Sequence, residues 1–389
     1  MPERLSQRAI LEFLVGFPTV SARSNLDLVD WVEAYLMSHQ ILCYRMLNAA
    51  GDKAALYAHV GPNVPGGVVL SGHTDVVPVE GQAWESDPFE VIEKAGRLYG
   101  RGTCDMKGFD ALAIWALVEA RYSTLARPLQ LALSYDEEIG CLAAPDMIDA
   151  MQAALPKAGV AIVGEPTGMK TVTGHKGTIG FDIHLRGHEV HSSMLHQGVS
   201  AIMSGAELIT WANQQNAAAA ADVPSEMAAP FDPPFTTMHV GQISGGTAHN
   251  ITAKDCRFDL DFRVVPGDDP ERCKRRFLER LRQLDAEMKA VVATTGVDVE
   301  MGFDVPPLVP EHNGAAETLV RRLTGDNSRN VVSYATEGGQ FQQAGYSTVV
   351  CGPGDIAQAH QANEYLELSQ FKLGHDFMKA LLQDMRLTR

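Results

Sequence analysis

The sequence predicts an α/β protein: a mostly parallel sheet covered by helices, interrupted by an inserted α+β domain of ferredoxin-like type. Two observations carry the prediction. Four short, continuous apolar runs, VVL (68–70), LQLALSY (129–135), VAIV (160–163) and STVVC (347–351), read as strands buried on both faces. Segments in the middle of the chain instead alternate strictly between apolar and polar residues, as an antiparallel sheet with one wet face requires. The length of 389 residues exceeds what one core usually organises, which agrees with two domains.

The elements follow in order. A helical pattern, FDALAIWALVEARY (109–122), lies between the first two apolar runs, and strands alternating with helices give a parallel sheet covered on both sides. In IGFDIHLR (179–186), Ile179, Phe181, Ile183 and Leu185 alternate with Gly180, Asp182, His184 and Arg186. RFDLDFRV (257–264) and VDVEMGF (297–303) repeat that pattern. Two helices sit among these strands, VSAIMSGAELITWAN (199–213) and the longer ERCKRRFLERLRQLDAEMKAV that follows Asp269-Pro270. Strands on one face of two helices make a small α+β domain. The stretch AAAAADVPSEMAAPFDPPF (217–235) reads as a solvated surface loop. The chain therefore divides into 1–176 and 306–389, forming one domain, around an insertion at 177–305.

Composition excludes several classes. A formal charge of −16 disfavours nucleic acid and anionic membrane, both polyanions, as partners. No apolar run approaches the roughly 20 residues that span a bilayer. The N-terminal MPERLSQRAILEF is charged and amphipathic, without the apolar core of a signal peptide. Six cysteines are scattered with no C-x-x-C pair, which argues against a zinc ribbon or a disulfide framework. A reducing cytoplasm is the expected location.

Ionisable residues follow each buried-type strand closely. His73 and Asp75 come after VVL, Asp136, Glu137 and Glu138 after LQLALSY, Glu165 after VAIV, and the loop ending at His360 after STVVC. In open parallel sheets ligands bind at the carboxyl ends of strands, so four such ends point to one site. A fifth piece, YGRGTCDMKGF (99–109), is glycine-rich and precedes a helix. It lacks the Gly-Lys-Ser/Thr order of a phosphate-binding loop, which leaves Asp105 as its chemical group. Two histidines with three or four carboxylates suit Zn²⁺, Co²⁺ or Mn²⁺ better than the oxygen-loving Ca²⁺ and Mg²⁺. If one carboxylate bridges, five ligands hold two metals about 3.5–4 Å apart.

The blocks SGHTDVVPV, GRGTCDMKG, DEEIG, VGEPT, GHEVHSSMLHQGVSAI, GGTAHNI and GPGDIAQAHQANEYLE resemble, in order and spacing, the family of dinuclear zinc peptidases and deacylases. The resemblance covers nearly the whole chain. It implies a hydrolase of small N-acyl amino acids holding two Zn²⁺ per chain, with Co²⁺ as a substitute, and a homodimer formed through the inserted lid domain. By that resemblance His73, Asp105 and Glu165 ligate one zinc and Asp105, Glu138 and His360 the other. Asp75 then orients His73, and Glu137 is the general base. His191 matches a lid histidine that reaches the other subunit's active site and stabilises the oxyanion, and Asn250 a lid asparagine of the same neighbourhood. Arg263 matches a position that binds a substrate carboxylate, or else pairs on the sheet surface with Asp261 or Asp259.

The final block, with YATEGGQF before it, resembles members that remove acetyl from N2-acetyl-L-ornithine. Members acting on a succinylated, dicarboxylic substrate resemble T-S-D-G-R-F there, and here Gln340 stands in place of their arginine. Glu337 is either a partner for a cationic side chain such as the ornithine amine or a helix-surface residue. Met194 stands where the family often has proline, which touches no ligand. A catalytically silent relative would have lost a ligand, and all five are present with the base.

Overall fold

A computed structural model describes residues 2–386, which form two compact units. One takes the described residues up to Gly174, Pro310–Val331 and those from Thr336 onward. The other takes His175–Val309 with Val332–Ala335.

The first unit is built on an eight-stranded sheet. Its order is Cys43–Leu47, Ala54–Val60, Leu129–Ser134, Gly67–His73, Ala158–Pro166, Ser347–Gly352, Val172–His175 and Asn330–Val332. The middle four of these, from Leu129–Ser134 to Ser347–Gly352, are parallel and coincide with the four continuous apolar runs. Cys43–Leu47, Ala54–Val60 and Val172–His175 join antiparallel. The reason is local: only about six residues separate Leu47 from Ala54, enough for a hairpin but not for a helical crossover. Helix Lys107–Arg121 is buried over almost its whole length, between the sheet and the helices Gln7–Val15 and Leu368–Met385. Its Leu112, Ile114 and Leu117 share a core with Leu70, Leu131 and Ile162 of the strands and Leu381 of the last helix.

The second unit is an antiparallel sheet in the order Thr237–His239, Asp255–Val264, Gly177–Arg186 and Gly296–Val305, with Ile243–Gly245 also pairing on Asp255–Val264. Ile179, Phe181, Ile183 and Leu185 point into one core with Leu208 of helix Ala201–Ala221 and Phe277 and Leu281 of helix Pro270–Val291. Both helices start on a side-chain cap, Ser200 Oγ accepting from the Met203 N–H and Asp269 Oδ1 from the Glu271 N–H. The first helix runs further than its apolar pattern predicts. Ala217–Ala221, expected in a loop, completes it, because alanine has the highest helix propensity and extends a helix already nucleated at Ala201. The loop proper starts at Asp222.

Phe277 is the centre of this second core, with ring centroids 4.8 Å from Phe181 and 5.7 Å from Phe262. Phe277→Ala is expected to cost about 3–5 kcal/mol of unfolding free energy, the usual range for a truncated core aromatic. Urea denaturation checks it, and a loss below about 1 kcal/mol would mean that the cavity collapses or the core is not shared as described.

Candidate metal centre

The parallel strands bring the predicted ligands to one edge of the sheet. Gly67–His73 ends on His73, Ala158–Pro166 carries Glu165 at its end, and Leu129–Ser134 runs into Asp136, Glu137 and Glu138. Asp105 comes from the glycine-rich loop ahead of helix Lys107–Arg121, where Gly102 has φ 84°. His360 follows the short 3₁₀ turn Ile356–Gln358. Gly72 lets the His73 strand lie against that helix, since a Cβ built there would overlap Asp110 Oδ1.

Asp105 is the centre of the cluster. Its Oδ1 lies 3.2 Å from His73 Nε2, and its Oδ2 lies 3.3 Å from His360 Nε2. Glu165 Oε1 is 3.6 Å from His73 Nε2, and Glu138 Oε2 is 3.0 Å from His360 Nε2. The contacts thus fall into two sets, His73 with Glu165 and His360 with Glu138, which share Asp105. Potential donor atoms of His73, Asp105 and Glu138 all lie within 4.8 Å of one another, and so do those of His73, Glu137 and Glu165. His73 is buried and the acids nearly so, whereas the His360 side chain is 53% exposed, so the cluster meets solvent on the His360 side.

The electrostatics identify what the cluster needs. Burial, then the Asp105 and Glu137 charges, raise the Glu165 carboxyl well above its ordinary value. Burial is also the main cause that pushes Glu137 up to about 8. Burial would lower His73, yet hydrogen bonds to Asp105 and Asp75 outweigh it and raise the imidazole well above its usual range. Hydrogen bonds to Asp105 and Glu138 hold His360 at about 10. Four carboxylates in a water-poor place therefore draw protons onto the two histidines. A divalent cation replaces those protons with the same sign of charge, and the mixed nitrogen and oxygen donor set fits one.

Surrounding groups fix the acids. The Asp75 carboxylate accepts from the Glu137 N–H at 3.2 Å, the Glu138 N–H at 3.3 Å and Ser21 Oγ at 2.7 Å. His73 Nδ1 faces the Asp75 carbonyl oxygen at 2.9 Å and its carboxylate at 3.5 Å, so backbone and side chain of one residue orient the ring. Lys53 Nζ pairs with Asp136 Oδ1 at 2.5 Å and with the Ser21 carbonyl. Asp136 has φ 58°, a left-handed turn, and the next two side chains meet different partners, Glu137 Cys141 and Glu138 His360. Cys141 Sγ lies 3.3 Å from Glu137 Oε1. Ser21, Lys53 and Cys141 escaped sequence reasoning because each is a single residue far from any ligand block or, for Cys141, unremarkable within one.

The remaining predicted residues divide between the two units. Glu337 is not on a helix surface. It is 1% exposed at the start of helix Gly338–Gln343, accepts from Ser71 Oγ at 3.1 Å, and burial pushes its carboxyl up to about 7. The carboxyl is enclosed beneath the His73 strand and bound by a residue of that strand, Ser71. Gln340 is also buried and donates to the Cys141 carbonyl at 3.1 Å. His191, Asn250 and Arg263 belong to the second unit. There the Ser192 N–H donates to the Asn250 carbonyl at 2.9 Å, which sets His191 and Asn250 in one neighbourhood. The Ser193 N–H donates to His191 Nδ1 at 3.2 Å, so the neutral ring carries its proton on Nε2. Arg263 Nε pairs with Asp261 Oδ2 at 3.1 Å on the sheet surface.

Known proteins resemble this chain over most of its length. The sequence pattern of peptidase family M20/M25/M40 matches residues 69–384. The chain is 36% identical over 372 residues to acetylornithine deacetylase of Myxococcus xanthus, covering 92% of each chain. It is 32% identical over 371 residues to acetylornithine deacetylase of Pasteurella multocida, covering 91% of each. Among solved structures, an M20 family metallo-carboxypeptidase from Sulfolobus solfataricus superposes with a TM-score of 0.79 at 18% identity, covering 98% of this chain and 99% of that one. A tripeptidase from Staphylococcus aureus gives 0.74 at 17%, with the same coverage.

The raised Glu137 carboxyl makes the metal-free fold sensitive to pH. Between its ordinary 4.5 and about 8 the native state keeps a proton that the unfolded chain has lost, so stability falls as pH rises through that window. Metal-free Glu137→Gln lacks this titration. Its melting temperature, relative to the unsubstituted protein, should therefore climb from pH 5 to pH 8, and a constant difference across that range would contradict the burial of this carboxyl.

Proposed function

The chain belongs to peptidase family M20/M25/M40, and on that footing we propose that it is a two-zinc amide hydrolase converting N2-acetyl-L-ornithine to L-ornithine and acetate, a step of arginine biosynthesis. The observation that carries the reading is that the contacts of His73 with Glu165 and of His360 with Glu138 meet on Asp105, with Glu137 4.0 Å from His73. The relatives at 32–36% identity bear the name of that activity. Mixed histidine and carboxylate donors favour zinc, with cobalt as a substitute.

When bound, zinc lowers the pKa of a coordinated water from 15.7 towards about 7 and polarises a carbonyl. This chain's residues do the rest. Glu137 takes the proton of the attacking water and delivers it to the leaving amine, and its fixed backbone keeps the carboxylate in place for both transfers. Asp75 holds the His73 ring in a single orientation. His191, with its proton on Nε2, is the donor for the oxyanion and acts on the active site of a partner copy in a homodimer. Asn250 supports the same segment through its carbonyl. The acidic chain, none of whose helices among the described residues is long and apolar enough to cross a membrane, works on a small molecule in the cytoplasm.

Selectivity follows from Gln340. Where relatives acting on a succinylated substrate have arginine, this chain offers a neutral amide already engaged with the Cys141 carbonyl. A second substrate carboxylate would be left without a cation. A panel of N-acyl amino acids assayed with zinc-loaded enzyme should show kcat/KM for N2-acetyl-L-ornithine at least about 10³-fold above that for N-succinyl-diaminopimelate. Comparable values would favour a desuccinylase or a broad N-acyl-amino-acid hydrolase instead.

Glu137→Gln should retain its metal complement and lose about 10²–10⁴-fold in kcat, since an amide cannot accept the proton. Near-normal turnover with both ions present would place the proton carrier on another residue.

A further inference from the structure

The two loops that supply Asp105 and His360 are joined by a continuous chain of hydrogen bonds. Glu364, four residues after His360 in sequence, is buried and turns its carboxylate back into the glycine-rich loop. Its Oε1 accepts from the N–H groups of Cys104 at 2.9 Å and Asp105 at 3.1 Å. Its Oε2 accepts from the Gly102 N–H at 3.0 Å and from Arg101 Nη1 at 2.7 Å. Arg101 is itself only 1% exposed and lies 5.2 Å from the Trp84 ring centre. Its second guanidinium nitrogen, Nη2, donates to Gln82 Oε1 at 2.5 Å. Gln82 Nε2 then donates to the His360 carbonyl at 2.9 Å. The path runs from the Asp105 backbone through Glu364, Arg101 and Gln82 to the His360 backbone, with no gap beyond hydrogen-bonding distance.

A buried Arg–Glu pair is weak evidence for stability, because the cost of desolvating two charges offsets much of their attraction. This pair does something a hydrophobic replacement could not. Its carboxylate gathers three N–H groups of the glycine-rich loop, and its guanidinium forks towards the other ligand loop. His360 has φ 62°, a conformation a histidine adopts only where its surroundings hold it. A carbonyl pinned by Gln82 is one such hold.

We propose that Gln82, Arg101 and Glu364 form a positioning strut that fixes the backbones of Asp105 and His360 relative to one another, and so sets the ligand spacing of the metal site built from Asp105, Glu138 and His360. None of the three touches the metal or the substrate. The inference rests on the two-ion reading of the site and is tested separately from it.

The experiment is a competitive titration of metal-free protein with Zn²⁺ against a chelating indicator, comparing the unsubstituted chain, Gln82→Ala, Glu364→Gln and His360→Ala as the reference for which binding step is which. Gln82→Ala breaks the strut at its His360 end, removing the bonds of Gln82 to the His360 carbonyl and to Arg101 while leaving Glu364 on the Asp105 loop. It should weaken by about 10-fold the step that His360→Ala abolishes, and change the other step less than two-fold. Glu364→Gln also releases the bridging Asp105, so both steps should weaken by about 10–100-fold. The melting temperature of metal-free Gln82→Ala should fall less than that of metal-free Glu364→Gln, because Gln82 lies at the half-exposed end of the strut and Glu364 is buried. If Gln82→Ala binds both ions as the unsubstituted protein does, or loses affinity equally at both steps, there is no such strut. Should the unsubstituted chain bind fewer than two ions, the two-ion reading falls and the strut with it. Gln82→Ala keeps the test decisive even if Glu364→Gln does not fold.

Discussion

Four carboxylates, Asp105, Glu137, Glu138 and Glu165, stand within a few ångströms of one another where water scarcely reaches. Two like charges 4 Å apart repel by about 4 kcal/mol at an effective dielectric of 20. A domain with about 5–15 kcal/mol of net stability does not hold four such groups ionised without compensation. Positive charge has to enter the cluster, as protons on His73, His360 and the raised Glu137 and Glu165 carboxyls or as divalent cations. The rest of the first unit is organised around that demand.

The ligands come from nearly the whole length of the chain, so each one's direction has to be fixed by its own element. Buried parallel strands supply rigid ends, and the close approach at Gly72 seats the His73 strand on a helix that is itself almost wholly enclosed. Beyond the strand ends, the backbone is fixed by charged side chains. Asp75 and Lys53 anchor the segment that carries Glu137 and Glu138. Glu364 gathers the loop that carries Asp105. Acids thus serve twice, some as donors facing inwards and others as acceptors for the backbone that presents those donors.

Much of this was legible in the sequence, for identifiable reasons. The four central strands announce themselves because burial on both faces leaves uninterrupted apolar runs, and the second unit because one wet face leaves strict alternation. The gathering of His73, Glu138, Glu165 and His360 in one place was legible because each follows a parallel strand and the carboxyl ends of those strands share one edge. The antiparallel flanking strands were not, since short hairpin strands carry little periodicity. Ala217–Ala221 misled because a polyalanine run beside proline resembles a linker until the helix before it is known. Glu337 could not be placed as buried because its partner, Ser71, lies on a strand far away in sequence. Arg101 and Glu364 lay within blocks that were recognised, yet their pairing depends on two loops meeting in space. Sequence pattern reports which residues a strand end delivers, and only the fold reports which charges hold the ends still.

The central claim is that one carboxylate, Asp105, joins two ligand sets into a single two-metal centre. Anomalous diffraction from crystals of the zinc-loaded protein, collected on both sides of the zinc absorption edge, tests it most directly. The account predicts two anomalous peaks about 3.5–4 Å apart, with an oxygen of Asp105 on each, His73 and Glu165 on one and Glu138 and His360 on the other. A single peak, or two peaks not bridged by Asp105, would contradict it.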